Sequence, residues 1–148
     1  MGGEMVLKMP KLKITVSGVA ATQRPRIAAG GRGMYNVPAV KAWKAAVKEA
    51  AFVAMLEAKR SQFPVPAGTS ITAVYKFYLP WQKSAPKKVA LTYADHPQKP
   101  DLKNLLSHTE DALSEAGVWA DDSQVDEIAM RKWRCPRGEE RAEITVTW

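Results

Sequence analysis

The sequence is poor in the residues that crosslink a chain or hold zinc. It has one cysteine, Cys135, and two histidines. One cysteine excludes an internal disulfide and a cysteine-based zinc site. His96 and His108 lack the close His-x-x-x-His spacing of a zinc site. No phosphate loop ending in Gly-Lys-Ser/Thr and no Gly-x-Ser-x-Gly motif occurs, which disfavours nucleotide hydrolysis and serine-hydrolase chemistry.

Long apolar runs are absent as well. No segment reaches the roughly 18 uninterrupted apolar residues of a membrane span. The first residues also lack the charged-then-apolar order of a signal peptide. We therefore expect a cytoplasmic protein with no membrane partner. At 148 residues and 46% apolar content, the chain suits a flexible leader over residues 1–10 and a single domain over residues 11–148.

Acidic residues are scarce in the first part of the chain. Residues 1–94 hold fifteen Lys/Arg and three acids, whereas residues 95–148 hold seven Lys/Arg and twelve acids. A basic segment favours a polyanion through phosphate contacts and counterion release. Clustered acids favour either a divalent cation or simply solvent. Together the two segments fit a nuclease that works on DNA with a metal ion.

The hydrophobic periodicity predicts the order β-α-β-α-β-β. We expect an α+β fold with a mixed, mostly antiparallel sheet and two helices packed on one face. The second strand looks buried on both sides, and the last two strands look joined as a hairpin through residues 135–138. The predicted strands are 12–16, 71–79, 124–134 and 141–148, and the predicted helices are 38–60 and 101–116.

Two long segments lack apolar periodicity. Residues 17–37 contain Arg24, Arg26, Arg32 and Tyr35. We favour a basic arm that orders on DNA, with the tyrosine available to stack on a base, over a plain flexible connection. The loop over residues 80–100 carries a basic run that could hold DNA or cross a partner subunit, and the sequence does not choose between these.

The chemistry concentrates in two motifs. Residues 99–105 read Lys-Pro-Asp-Leu-Lys-Asn-Leu, and residues 117–125 read Gly-Val-Trp-Ala-Asp-Asp-Ser-Gln-Val. Asp101 opens the second helix, where it can act as an N-cap that accepts from the backbone N–H of Lys103 or Asn104. A polar stripe on that helix also includes Asp111, and it is equally compatible with a solvated face.

The second motif strengthens the metal hypothesis. Asp121 and Asp122 follow a glycine-capped turn that can return the chain toward the preceding helix or toward a dimer partner. Adjacent carboxylates repel each other unless a cation compensates them. Oxygen-only ligands favour Mg²⁺ or Mn²⁺, which could activate a water for attack on phosphorus. The alternative is a pair of solvated aspartates in a turn.

At these residues the sequence resembles the RusA family of Holliday junction resolvases, small endonucleases of bacteria and their phages. The family pattern is Lys-Pro-Asp-x-Asp-Asn-Leu, then Ala-Leu, then Trp-x-Asp-Asp-x-Gln-Val. The resemblance is close over about residues 96–125, and it includes Asp111-Ala112-Leu113. It implies a homodimer that binds four-way DNA junctions and, with Mg²⁺, nicks two opposing strands symmetrically.

The resemblance also assigns residues. It implies that Asp101 and Asp122 are catalytic metal-binding aspartates, with Asp121 beside them, and that Asp111 is a further recurrent acid. Arg24, Arg26, Arg32, Tyr35, Lys99 and Lys103 are our candidates for DNA contacts.

Two positions depart from the family pattern. Lys103 stands where the family has its second aspartate, and Ser107 replaces a frequent lysine. An ammonium in place of a carboxylate should weaken metal binding unless Asp111 or an acid across the dimer compensates. Lys103 could instead contact the scissile phosphate. The alternative to a resolvase is therefore a non-catalytic relative that binds branched DNA, and a protein-interaction domain without a nucleic acid ligand is a third.

Overall fold

The computed structural model of the chain describes residues 9–18, 26–27, 34–35 and 38–148; for 26–27, 34–35 and Pro38 it describes only the backbone. Most of the predicted leader, residues 1–8, lies outside the described part. The elements are β1 (Lys11–Ser17), β2 (Arg26–Ile27), β3 (Met34–Tyr35), α1 (Pro38–Glu57), β4 (Ile71–Pro80), β5 (Ala94–Asp95), α2 (Leu102–Ala116), β6 (Val125–Cys135) and β7 (Arg141–Thr147).

Five strands form one mixed sheet in the order β1-β7-β4-β6-β5. The pairs β1–β7, β7–β4 and β6–β5 are antiparallel, and β4–β6 is parallel. The short strands β2 and β3 pair separately with each other. The prediction of an α+β fold with a mixed, mostly antiparallel sheet is confirmed. The four long strands match the predicted ones to within about two residues, and α1 ends at Glu57, short of the predicted Arg60.

The predicted hairpin between the last two strands is wrong. β6 and β7 are antiparallel neighbours in sequence, but β4 lies between them and pairs with both. The reason is burial: β4 buries alternate residues from Ile71 to Leu79, whereas Asp126 to Ala129 of β6 are exposed. A central position satisfies both backbone edges of the apolar strand and leaves the charged strand near the sheet edge.

Both helices cover the same face of the sheet, as predicted. The inward residues of β1, β4 and β7 form one buried cluster with those of α1 and α2. A polar contact fixes the two helices to each other inside this cluster, where the indole N–H of Trp43 donates to the hydroxyl of Thr109 at 3.0 Å. No helix in the described residues is long and apolar enough to span a membrane.

The opposite face of β4 differs from its prediction. Thr72, Val74 and Tyr78 are half-buried there, and Lys76 is exposed. Within the part of the chain that the structure describes, the strand is therefore fully covered on one side only. Tyr78 stacks on Trp133 of β6 with ring centroids 5.0 Å apart, and the guanidinium groups of Arg141 and Arg131 lie over the two rings. Aromatic and β-branched residues on this face are partly covered by side chains of neighbouring strands. Their sequence pattern therefore resembles that of a strand buried on both sides.

The ends of α2 are set by residues that local sequence rules had predicted. Asp101 is the N-cap, and its carboxylate accepts from the backbone N–H of Lys103 at 2.8 Å. Gly117 closes the helix in the left-handed conformation with φ of 81°. Glycine reaches this region without the steric cost of a Cβ atom. The two caps therefore fix where the first acidic motif enters α2 and where the second one follows it.

Candidate active site

The segment after α2 is held by two buried side chains. The indole N–H of Trp119 donates to the hydroxyl of Ser114 on α2 at 2.8 Å. Gln124 is buried, and its amide donates to the carbonyls of Pro66 at 2.8 Å and Thr69 at 3.1 Å. The chain between these two anchors makes a short 3₁₀ turn over Asp122–Gln124. The tryptophan and the glutamine of the motif therefore position the two aspartates between them.

Asp121 and Asp122 lie at the start of the same 3₁₀ turn, and their side chains interact with each other. The carboxylate of Asp121 accepts from the backbone N–H of Ser123 at 3.1 Å, while its own N–H donates to the side chain of Gln124 at 2.9 Å. The hydrogen bond from Ser123 lowers the pKa of Asp121. The carboxyl of Asp121 raises the pKa of its neighbour Asp122, and Asp111 adds to that rise. Two adjacent carboxylates are thus held close against their mutual repulsion.

Glu110 extends this acidic group onto the sheet side of α2. Burial raises the pKa of Glu110, and the charges of Asp122 and Asp111 raise it further. Beneath it, the hydroxyl of Tyr75 is buried in the core and has no hydrogen-bond partner among the described residues, and burial raises the pKa of this tyrosine. Glu110, Asp111, Asp121 and Asp122 therefore make one region of negative potential, which we call the acidic cluster.

Asp101 lies at the other end of α2. Ten residues separate it from Asp111, which corresponds to about 15 Å along a helix axis. Next to it, the ammonium of Lys132 on β6 donates to the backbone carbonyls of Pro100, at 2.6 Å, and Gln98. Burial lowers the pKa of Lys132 and the charge of Asp101 opposes that effect. A cation therefore braces the loop that presents Asp101.

The same loop is lined by a buried histidine. His96 accepts from the backbone N–H of Gln98 through Nδ1 at 3.3 Å. Burial lowers the pKa of His96 to about 4, and the charges of Arg134 and Lys132 add to the shift. The imidazole is neutral at physiological pH, which agrees with an Nδ1 that accepts a hydrogen bond. His96 thus helps to fix the loop before Asp101.

The acidic side chains of this region meet the coordination needs of Mg²⁺ only in part. Across residues 9–18 and 38–148, no three acidic, histidine or cysteine side chains lie close enough to hold one metal ion together. Mg²⁺ needs fewer protein ligands than that, because one or two carboxylates with water and substrate phosphates complete its octahedron. Asp121 and Asp122 supply two adjacent, exposed carboxylates. The charges of Asp121 and Asp111 both act on Asp122, and Asp101 stands at the start of α2, about 15 Å along the helix axis from Asp111.

The candidate DNA contacts fall into two groups. Lys99 and Lys103 are exposed beside Asp101 at the start of α2. Arg24 and Arg32 lie outside the described residues. Arg26 and Tyr35 are described only by their backbone, which pairs as β2 with β3. The basic arm is therefore neither confirmed nor contradicted.

Lys132 is a residue of this site that the sequence patterns did not single out. The two-residue alternation of a strand is the signal that could have found it. Ile128, Met130 and Lys132 share the helix-covered side of the sheet. A lysine at such a position needs a partner, since an unpaired ammonium is costly to bury. The backbone carbonyls before Asp101 are that partner, and only the fold shows them.

Comparison with known proteins places these residues in a family. A sequence model described as Endodeoxyribonuclease RusA matches residues 18–147. The chain belongs to the RusA endodeoxyribonuclease family. The match covers both acidic motifs, β6 and β7 as well as the basic segment after β1. No curated protein sequence matched the chain.

Membership of the RusA family gives the acidic cluster a chemical context. The family consists of endodeoxyribonucleases, so the chain's partner is DNA. Hydrolysis of a phosphodiester requires that the charge developing on the phosphate be neutralised. The exposed carboxylates of Asp121 and Asp122 are the candidates for holding a cation that could do so.

Proposed function

We propose that the protein is a Mg²⁺-dependent, structure-selective DNA endonuclease. In this proposal it acts as a homodimer and resolves four-way (Holliday) junctions by paired symmetric nicks. The observation that carries the proposal is the pair Asp121–Asp122, anchored by Trp119 and Gln124 inside a chain of the RusA family. The pair is exposed and held in place although the two charges repel, and a divalent cation would relieve that repulsion.

Each acid has a role in this proposal. Asp121 and Asp122 would hold the cation, with Asp111 beside them. When bound, the cation supplies charge neutralisation at the phosphate and lowers the pKa of a coordinated water. Asp101 presents a carboxylate at the start of α2, at a position fixed by its N-cap hydrogen bond and by the Lys132 brace. Lys99 and Lys103 are exposed next to it and suit contacts to DNA phosphates.

The direct test uses a labelled four-way junction with Mg²⁺ or Mn²⁺ and one variant. Asp122→Asn keeps the shape and removes a ligand charge, so we expect nicking to fall on the order of 100-fold or more. Glu49→Gln is the matched control, because Glu49 is an exposed carboxylate on α1. If Asp122→Asn cuts as well as Glu49→Gln, the assigned chemistry is wrong.

Lys103 favours a second candidate function. It is exposed two residues after Asp101, where the family pattern has an aspartate. A non-catalytic relative would bind four-way junctions tightly without cutting them. In that case Lys103→Asp should create cleavage that the wild type lacks. If the wild type cuts and Lys103→Asp only alters the rate, the catalytic proposal stands and the lysine is a tolerated or phosphate-binding replacement.

A further inference from the structure

A cleft opens between α1 and the end of β4. Its volume is about 580 Å³, within the range of roughly 300–1,000 Å³ that is typical of clefts for small ligands. The first half of α1 contributes Ala42, Trp43 and Ala46 to the lining, and the end of β4 contributes Pro80 and Trp81. These side chains are mostly apolar, so this part of the cleft suits a flat, weakly polar group.

Trp81 is held in place by two contacts. Its indole N–H donates to the backbone carbonyl of Thr92 at 2.8 Å. The guanidinium of Arg134 lies over the ring, 5.1 Å from its centroid, and covers one face. Among the described residues, no second ring or cation stacks on this indole. The other face of the ring is therefore positioned in advance for a planar group from outside the chain.

Two cations stand beside this aromatic wall. Lys83 and Arg137 both line the cleft and are exposed, and Arg137 donates to the backbone carbonyl of Gln82 at 3.1 Å. Glu140 is an acid in the lining, and its carboxylate accepts from the backbone N–H of Gly138 at 2.6 Å in the turn between β6 and β7. Cations beside an aromatic ring match a nucleotide, because its base is flat and its phosphate is anionic.

The cleft is also linked to the loop that presents Asp101. Arg134, which covers one face of Trp81, donates to the side chain of Gln98 in that loop. The backbone carbonyl of Gln98 accepts from Lys132, the residue that braces the loop. One side chain, that of Arg134, therefore connects Trp81 to the loop before Asp101. DNA bound at Asp101 could place a neighbouring nucleotide in the cleft.

We propose that this cleft binds an unpaired nucleotide of the DNA substrate. The base stacks on Trp81, and Lys83 and Arg137 hold a phosphate beside it. The faces of a base inside a duplex are covered by its neighbours, and exposing one costs unstacking energy. The cleft therefore selects DNA in which a base is already unpaired. This inference rests on the proposed function for its substrate, and it adds a source of structure selectivity to it.

A photochemical crosslink tests the contact directly. A DNA strand with one 5-iodouracil, a photoreactive base that couples to a stacked aromatic ring, is irradiated with the protein in EDTA. The single strand should crosslink to Trp81, and the same strand annealed to its complement should crosslink much less. Tandem mass spectrometry locates the adduct, and Tyr78 on the open face of the sheet is an internal control. Absence of an adduct on Trp81, or equal crosslinking of the duplex, overturns the site.

Substitutions of Trp81 measure the contribution of stacking. Trp81→Ala should weaken the binding of a fluorescent single strand about tenfold, and Trp81→Phe should keep most of the affinity, because a phenyl ring still stacks on a base. Tyr93→Ala removes an aromatic side chain that is 48% exposed and lies outside the cleft, so it is the control and should bind as the wild type does. If Trp81→Ala binds as tightly as Tyr93→Ala, another occupant such as a protein partner covers the cleft, and the nucleotide site is overturned.

A second pair of variants leaves Trp81 and its contacts intact. Ala42→Leu narrows the cleft from α1, whereas Ala45→Leu adds the same side chain at an exposed position of α1 that does not line it. Leucine is a good helix former, so both variants should fold. We expect Ala42→Leu to bind the single strand about fivefold more weakly than Ala45→Leu, because the added side chain competes with the base for space. Equal affinities of the two variants would contradict the site.

These measurements separate the nucleotide site from the nuclease proposal, because they need no divalent cation and no cutting. If the wild type nicks four-way junctions with Mg²⁺ but Trp81 gives no crosslink, the nucleotide site is overturned and the proposed function stands. If Trp81 crosslinks to the single strand but no junction is nicked, the nucleotide site stands and the proposed function has failed.

Discussion

Asp122, a proposed metal ligand, is expected to work against folding. Its pKa is raised by the carboxyl of Asp121, so the folded protein binds this proton more tightly than the unfolded chain does. The negative charge at neutral pH therefore opposes folding. We predict that Asp122→Asn melts at or slightly above the wild-type temperature at pH 7. The difference should vanish as the pH falls through the raised pKa. A clear loss of stability at pH 7 would mean that the carboxylate has a structural role.

The lowered pKa of His96 predicts a loss of stability on the acid side. Its pKa is lowered to about 4 from an ordinary value near 6.5, because it is buried near Arg134 and Lys132. Between these two values the unfolded chain binds more protons than the folded one, so stability falls as the pH drops from about 6.5 to about 4. We predict that His96→Gln flattens this part of a pH series of urea unfolding curves. An unchanged slope in that window would contradict the assignment.

The sequence predicted the structural roles of some single residues and not those of others. The N-cap role of Asp101 and the left-handed Gly117 followed from local rules and are confirmed. Lys132 could not be assigned in the same way, because its partners lie in a loop more than thirty residues earlier in the chain. Alternation along a predicted strand gives no information on what a lysine on its inner face would meet.

At the scale of elements, the turn that carries Asp121 and Asp122 depends on Gln124. The buried amide of Gln124 satisfies the carbonyls of Pro66 and Thr69 before β4. We predict that Gln124→Ala lowers the free energy of unfolding by about 1–3 kcal/mol, because the truncation leaves buried acceptors unpaired. Urea denaturation measures this. Ser123→Ala, at an exposed neighbour whose backbone N–H is kept, is the control and should change stability little.

The strand order explains why the hairpin prediction failed. A short turn with Gly138 between two alternating segments is the usual sign of adjacent strands, and β6 and β7 have that sign. The order of strands in a sheet also depends on which strand is most buried, because such a strand must hydrogen-bond to a neighbour along both of its backbone edges. β4 is the most buried strand, so it takes the place between β6 and β7. That competition involves segments sixty residues apart and cannot be read from the turn alone.

At the scale of the whole molecule, the separation of charge predicts how DNA is bound. The basic N-terminal part should supply most of the phosphate contacts, and Lys99 and Lys103 should add theirs beside Asp101. We predict that the affinity for a four-way junction falls steeply between 50 and 200 mM salt. Replacing Arg24, Arg26 and Arg32 by alanine should reduce the slope of log K against log salt by about one for each phosphate that no longer has a cationic partner.

A matched control separates this effect from net charge. Lys59→Ala, Arg60→Ala and Lys41→Ala together also remove three positive charges, at exposed positions in and after α1. Their slope should stay near that of the wild type. If both triple variants change the slope equally, the arm over residues 17–37 has no special role, and only the overall charge governs binding.

Symmetric resolution of a junction is the central claim, and a supercoiled plasmid with an extruded cruciform tests it most directly. Two active sites that act within one complex should convert this plasmid to a linear form with Mg²⁺ and little nicked circle. A plasmid without the inverted repeat should stay uncut. Accumulation of nicked circle alone, equal cutting of both plasmids, or binding without any cutting would contradict paired nicking by a structure-selective RusA-family enzyme.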